Sequence, residues 1–102
     1  MIQIVRLTYN DDKDASVALD IKICSSIDNA KKCILLNLCI DFDEQWNSLE
    51  SAAKELCDCL SECSWDEDSK VFHWMDNGEG ETYTICEIEK ENLEWQHIGE
   101  IA

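Results

Sequence analysis

The hydrophobic residues between Asp43 and Cys63 recur at alternating steps of three and four positions. This spacing places them along one side of an α-helix, because an α-helix completes a turn every 3.6 residues or so. The stripe consists of Trp46, Leu49, Ala53, Leu56, Leu60 and Cys63. Asp41 or Asp43 can cap the start of the helix, where a carboxylate also suits the helix dipole. We therefore predict one long amphipathic helix over about residues 43–63, which must bury its stripe against another element.

The segments on either side of this helix carry the patterns of β-strands. Residues 1–9 are rich in β-forming side chains, and residues 17–23 alternate between apolar and polar ones. We expect these two strands to pair antiparallel and to bury the apolar face of the second, which consists of Val17, Leu19, Ile21 and Ile23. Further along the chain, Asn77-Gly78 separates "VFHWM" from "TYTICEI" and predicts a β-hairpin. "LEWQHI", near the end of the sequence, is a further predicted strand.

Residues 25–42 fit two different elements. The helical interpretation has a serine available as N-cap and an apolar spacing that includes Ile27, Ala30, Ile34, Leu35 and Leu38. The strand interpretation places on one face Ile34, Leu36, Leu38, Ile40 and Phe42. We favour a buried strand, because the apolar run is short and continuous and includes Phe42. The sequence then predicts an α+β fold, in which an antiparallel sheet of about five or six strands carries the long helix on one face.

The length and composition predict a single compact domain over residues 1–102. A chain of 102 residues has room for one core, and its 45% hydrophobic content is too high for a disordered protein. It contains no proline, no Gly/Ser linker and no internal repeat. No apolar run reaches the length of about 18 residues that a membrane span needs, and the first residues lack the pattern of a signal peptide. We therefore expect a cytoplasmic protein.

The seven cysteines do not form a metal-binding or disulfide pattern. Their number is odd, and no C-x2-C pair occurs in the chain. On the predicted helix, Cys57 and Cys59 would project about 200° apart and could not easily share one ion. We predict that most of the cysteines are buried thiols, and we expect neither a metal nor another cofactor.

The sequence also offers no clear catalytic constellation. His73 and His97 are the two histidines, and a nucleophilic pair such as Cys86 with His73 is one of many that seven cysteines allow. The three glycines do not form a phosphate-binding loop. Direct binding of nucleic acid is disfavoured because the phosphates would be repelled. We therefore predict a protein that is not an enzyme.

The charge is the strongest indication of function. The chain has eight basic and 23 acidic residues, and its net charge of −15 lies entirely in residues 41–102. On the predicted helix, the face opposite the apolar stripe carries acids towards its C-terminal end, where they oppose the helix dipole at a cost of a few tenths of a kcal/mol each. Such a placement suggests a functional demand. We predict a partner-binding ridge, with the tryptophan as its anchor, formed by Glu55, Asp58, Glu62, Trp65, Asp66, Glu67 and Asp68.

An acidic surface of this kind suits a basic protein partner, and many strongly basic surfaces are those that bind nucleic acid. The favoured hypothesis is an immunity protein that neutralises a bacterial nuclease toxin. One alternative is a phage- or plasmid-encoded DNA mimic that inhibits a CRISPR or restriction effector. A second alternative is an adaptor subunit of a larger complex, for which the acids would form no more than a solvated surface.

Overall fold

In a computed structural model, residues 1–10 and 16–87 are described, and they form five β-strands and two α-helices. In chain order these elements are β1 (Ile2–Asn10), β2 (Ser16–Cys24), α1 (Ile27–Phe42), α2 (Leu49–Leu56), β3 (Glu62–Asp66), β4 (Val71–Asp76) and β5 (Glu79–Glu87). All strand pairs are antiparallel. The α+β class and the antiparallel sheet are therefore confirmed, with five strands in the described part of the chain.

The strands lie in the order β2-β1-β5-β4-β3, so that β2 and β3 form the two edges of the sheet in the described part of the chain. The expected antiparallel pairing of the first two strands is confirmed, with Ile2 opposite Cys24. The expected hairpin is also confirmed, since Asn77 and Gly78 connect β4 to β5. Their φ angles of 52° and 82° are both positive, as the tight two-residue turn of a β-hairpin requires.

The strand predicted within residues 25–42 is wrong, because this segment forms the helix α1. The hydroxyl of Ser26 caps its start by accepting the backbone N–H of Asn29 at 3.1 Å. The residues that α1 buries are Ala30, Ile34 and Leu38, which are spaced by four. Leu36, which the strand interpretation placed on the same buried face, is exposed. The spacing of 3.6 residues and the serine cap thus outweigh the continuous apolar run.

The long helix predicted over about residues 43–63 is also wrong. Asp43 does not begin a helix but ends α1, in a left-handed conformation with φ 53°. The only helix in this range is α2, whose start is capped by Ser48. The apolar stripe nevertheless reaches the core from four different places: Trp46 from the loop before α2, Leu49, Ala53 and Leu56 from the helix, Leu60 from the turn after it, and Cys63 from β3.

Both helices pack on one face of the sheet, and the core lies between these layers. The largest side chains buried there are Phe72, Tyr83, Ile34 and Leu38. The predicted apolar face of β2 is wrong where its side chains are described, because Ile21 and Ile23 are exposed. Cys24 is buried instead, opposite the buried Ile2. Since side chains alternate along a strand, Ile23 and Ile21 point to the face that neither helix covers.

Two expectations lie partly or wholly beyond the described residues. The strand predicted for "LEWQHI" falls outside them. Neither helix in residues 1–10 and 16–87 combines the length and the apolar character needed to cross a membrane.

Candidate protein-binding surface

Within the described residues, the segment from Asp41 to Asp68 carries most of the exposed negative charge. Its ten acidic residues are all exposed, and Lys54 is its single basic residue. We call this set the acidic surface; its members are Asp41, Asp43, Glu44, Glu50, Glu55, Asp58, Glu62, Asp66, Glu67 and Asp68. The four of these that precede Glu55 were missed in the predicted ridge, although they belong to the same acid-rich stretch of sequence. They lie at the end of α1, in the following loop and in the first turn of α2.

Three of the predicted ridge residues lie where α2 leads into β3, but they do not share a helix face. Glu55 is in the last turn of α2, and its carboxylate accepts the indole N–H of Trp46 at 2.7 Å. Asp58 follows the helix in a turn. Glu62 begins β3, next to the inward-facing Cys63, and therefore projects from the opposite face of the sheet. The prediction of one continuous helical ridge is wrong for this reason.

The remaining predicted acids lie at the other end of β3, in the turn to β4. One carboxylate oxygen of Asp66 accepts the backbone N–H groups of Asp68 at 3.0 Å and of Ser69 at 3.3 Å. These hydrogen bonds, with those to Ser69 contributing most, hold the pKa of Asp66 below its usual value. Asp66 therefore stabilises the turn, while Asp68 points its carboxylate into solvent.

Glu67 connects this turn to α1. It accepts the ammonium of Lys31 at 2.6 Å and the indole N–H of Trp65 at 2.8 Å. These two hydrogen bonds lower the pKa of Glu67, the one from Lys31 most strongly. The carboxylate is held in one place, and it retains further lone pairs that can accept donors from a partner.

Trp65 is packed rather than free. Its ring is half-buried against the core, and the ammonium of Lys31 lies 5.7 Å from the ring centroid. This geometry is that of a cation–π contact within the fold. The expected role of Trp65 as an anchor for a partner stays a prediction.

The acidic residues of the predicted ridge fall into two groups, one at each end of β3. These ends lie about 13 Å apart, because four residue steps separate Glu62 from Asp66 along a strand that rises about 3.3 Å per residue. β3 is an edge strand, and acids at such a strand also prevent edge-to-edge pairing of sheets. The structure thus groups Glu55, Asp58 and Glu62 at one end of this edge, and it places Asp66, Glu67 and Asp68 at the other.

The cysteines differ from the expected pattern. Only Cys24 is buried, four cysteines are partly buried, and Cys57 and Cys59 are exposed, so the prediction that most of the thiols are buried is wrong. Cys63 is half-buried, and burial raises the pKa of its thiol to about 11. Cys86 lies four residues along β5 from Thr82, the cross-strand neighbour of His73, so the two side chains are too far apart for a nucleophilic pair. Within residues 1–10 and 16–87, no three His, Cys, Asp or Glu residues are placed to hold a metal ion.

A buried carboxylate that the sequence did not single out lies under α1. The side chain of Glu81 is 6% exposed and faces the guanidinium of Arg6, with 2.9 Å between Nε and Oε2. It also accepts the indole N–H of Trp74 and the hydroxyl of Tyr83, each at 3.3 Å. Burial raises the pKa of Glu81, although Arg6 opposes this effect. Because its donors belong to the fold, we interpret Glu81 as a structural residue.

The chain was compared with protein-family models, with curated proteins and with solved structures, and nothing matched. The geometry and charge of the acidic surface therefore carry the functional proposal.

Proposed function

We propose that this chain is a non-enzymatic inhibitor that uses its acidic surface to block a basic, nucleic-acid-binding surface of a partner protein. The role that we favour is that of an immunity protein that neutralises a bacterial nuclease toxin. The observation that supports this most directly is the presence of ten exposed carboxylates and one lysine in residues 41–68. A surface of this charge attracts a basic groove over several ångströms and accelerates association with it.

The positions of several carboxylates are restrained before any partner binds. Trp46 holds Glu55, Lys31 holds Glu67, and the backbone of the β3–β4 turn holds Asp66. Restrained side chains lose less conformational entropy on association, so each contact with a partner yields more net affinity. A surface kept only for solubility has no need of such restraint.

The shape of the surface favours an immunity protein over a DNA mimic. Six of its carboxylates are divided between the two ends of β3, and the exposed residue between Glu62 and Asp66 on the same face of the strand is the uncharged Ser64. Charge that is grouped in separate clusters suits a particular protein groove, whereas a mimic of the DNA backbone needs evenly repeated charge. An inhibitor of a CRISPR or restriction effector would use the same surface, and the identity of the partner distinguishes the two roles.

The first experiment is affinity capture from lysate of the source organism, at low and at moderate salt, followed by mass spectrometry. We expect a basic nuclease that is retained at low salt, is released by salt, and loses its nuclease activity when the purified chain is added. A retained partner that is neutral and insensitive to salt would support an adaptor instead, because apolar contacts are not screened.

A triple variant tests whether the acidic surface is responsible for binding the partner protein. Asp58→Lys, Glu62→Lys and Asp68→Lys together should weaken binding of the captured nuclease by at least about tenfold, since each removes an attraction and adds a repulsion. The matched control changes the same number of exposed acids, Asp20, Glu79 and Glu87, which lie on β2 and β5 rather than on α2 or β3. Equal losses in the two variants would mean that only net charge matters, and an unchanged affinity in the first would contradict the proposed site.

A further inference from the structure

The free edge of β2 lies at the opposite side of the sheet from the acidic surface. Within the residues that the structure describes, β2 is hydrogen-bonded to β1 alone. An edge strand of nine residues presents unpaired N–H and C=O groups along its free side, and these can pair with another extended chain. Beside this edge runs a shallow groove of about 350 Å³ between β2 and α1.

The groove is bordered by apolar side chains that the described core does not cover. On α1, Leu36 and Ile40 are 62% and 68% exposed. They lie four residues apart, on the side of the helix that faces away from the buried Ile34. On β2, Ile21 and Ile23 are 56% and 45% exposed, and both point to the uncovered face of the sheet. Ile23 and Leu36 both line the groove, and Ile21 with Ile23 forms an exposed apolar strip on the uncovered face, of the kind that marks interaction sites.

The charge at this groove is opposite to that of the chain as a whole. Lys22 from β2 and Lys32 from α1 line it together with Ile23, Cys24, Cys33 and Leu36, and the described lining includes no acidic residue. Both lysines are exposed, and in residues 1–10 and 16–87 neither lies within ion-pair distance of a carboxylate. In a chain of net charge −15, two lysines without a carboxylate partner among the described residues, beside a strand edge that is open in the same residues, give this groove a local positive charge that suits an anionic group.

We propose that the β2 edge and α1 form a docking groove for an extended segment of a partner protein that alternates acidic and apolar side chains. The segment would add a strand to β2, and its register follows from the alternation of side chains. Residues opposite Ile21 and Ile23 are apolar, since they share the uncovered face of the sheet. The residue opposite Lys22 is acidic, because it faces the helix side, where Lys32 also lies. This inference does not depend on the proposed inhibitor function, because it uses the other edge of the sheet.

Synthetic peptides test the proposal with the full-length chain. The probe is a fluorescein-labelled seven-residue peptide of alternating valine and glutamate, and the comparison peptide has lysine in place of glutamate. Anisotropy titrations should show the glutamate peptide binding at least about tenfold more tightly. Net charge alone predicts the reverse order, because a chain of −15 attracts the lysine peptide. Tighter binding of the lysine peptide, or no saturable binding of the glutamate peptide up to about 1 mM, would overturn the proposal.

Variants locate the binding on the groove. Lys22→Glu should weaken the binding of the glutamate peptide by about tenfold. Lys54→Glu makes the same charge change on α2 and should leave the affinity of the peptide unchanged. Ile23→Ala should also weaken binding, because Ile23 lies on the face that the valines of the peptide share, and the far-UV circular dichroism should be unaltered because Ile23 is exposed. Equal effects of the Lys22 and Lys54 variants would refute the assignment.

Two further outcomes would overturn the proposal in favour of a different occupant. Concentration-dependent dimerisation in sedimentation equilibrium that Lys22→Glu changes would identify a second copy of this chain. Nuclear Overhauser effects between Trp95 and the methyl groups of Leu36 would identify the chain's own C-terminal residues as the occupant.

Discussion

Replacing Glu81 by leucine should destabilise the fold by about 3 kcal/mol, because the buried carboxylate is the acceptor for side-chain donors on three strands. The donors are Arg6 at 2.9 Å, Trp74 and Tyr83 at 3.3 Å, and Thr8 at 3.4 Å. Leucine has a similar size and fits an apolar environment, so the main effect of the change is the loss of the acceptor.

The magnitude follows from which donors water can reach. Tyr83 is 1% exposed, and leaving its hydroxyl without an acceptor costs about 1–3 kcal/mol. Trp74 is half-buried and adds about 1 kcal/mol. Arg6 and Thr8 are partly exposed and can bind water instead, so they add little. For a domain of this size, a loss of about 3 kcal/mol lowers Tm by roughly 10–20 °C.

Urea denaturation followed by tryptophan fluorescence measures the change in the free energy of unfolding. Tyr83→Phe is the matched control: it removes one donor together with its need for an acceptor, and it should cost only about 1 kcal/mol. A Glu81→Leu variant as stable as the original chain would refute the reasoning. It would mean that the cost of burying the carboxylate equals the gain from its four donors.

The same residue predicts a pH dependence. The pKa of Glu81 is raised in the folded protein, so the folded state binds the proton more tightly than the unfolded state does. The stability of the original chain relative to Glu81→Gln should therefore fall as the pH rises from the ordinary carboxyl pKa through the raised one. A relative stability that increases over this interval would show that Arg6 lowers the pKa of Glu81 more than burial raises it.

Three other perturbations have clear expected outcomes. Iodoacetamide at pH 8 should modify the exposed Cys57 well before Cys63, whose thiol has a pKa of about 11, and peptide mass spectrometry gives the order. Gly80→Ala should cost about 2 kcal/mol or more in urea denaturation, because a Cβ there would lie 2.5 Å from the carbonyl oxygen of Trp74. Ser26→Ala should cost about 1 kcal/mol in the same assay through the loss of the α1 cap.

The elements that the sequence predicts correctly are those with local chemical signals. Asn77-Gly78 can adopt the positive φ angles of a tight hairpin, and this property fixes the turn before any tertiary contact forms. The pairing of β1 with β2 likewise needs only a short connection. The apolar spacing over residues 43–63 leads to the wrong prediction of one long helix. The spacing indicates which residues pack in the core, but only some of these residues belong to α2. Nothing in that spacing shows that Ser48 begins a new helix or that Glu62 begins a strand.

The sequence predicts the charge of the acidic surface, but it does not predict how the side chains of this surface are arranged. Its charge follows from counting residues, whereas the contacts that restrain it join distant parts of the chain. Lys31 and Glu67, for example, are 36 positions apart, and they meet because the fold brings the first half of α1 beside the turn that follows β3. The buried Glu81 network depends in the same way on the register between β1 and β5, which places Arg6 opposite Tyr83.

The observed helix boundaries alter the physical argument for a binding surface. On a helix over residues 43–63, Glu55, Asp58 and Glu62 would all oppose the negative end of the helix dipole. Because α2 ends at Leu56, only Glu55 lies in its last turn, where Lys54 offsets it. The local cost is thus small, and the unfavourable energy that remains is repulsion among carboxylates spread over the surface. Salt screens such repulsion, and a basic partner that covers the surface reduces it. The unfavourable energy of an acid at the end of a helix is different, because it is removed only by a change within that helix. The charge distribution is therefore a repulsion spread over the surface rather than a defect in one helix, and the proposed binding of a basic partner would relieve it.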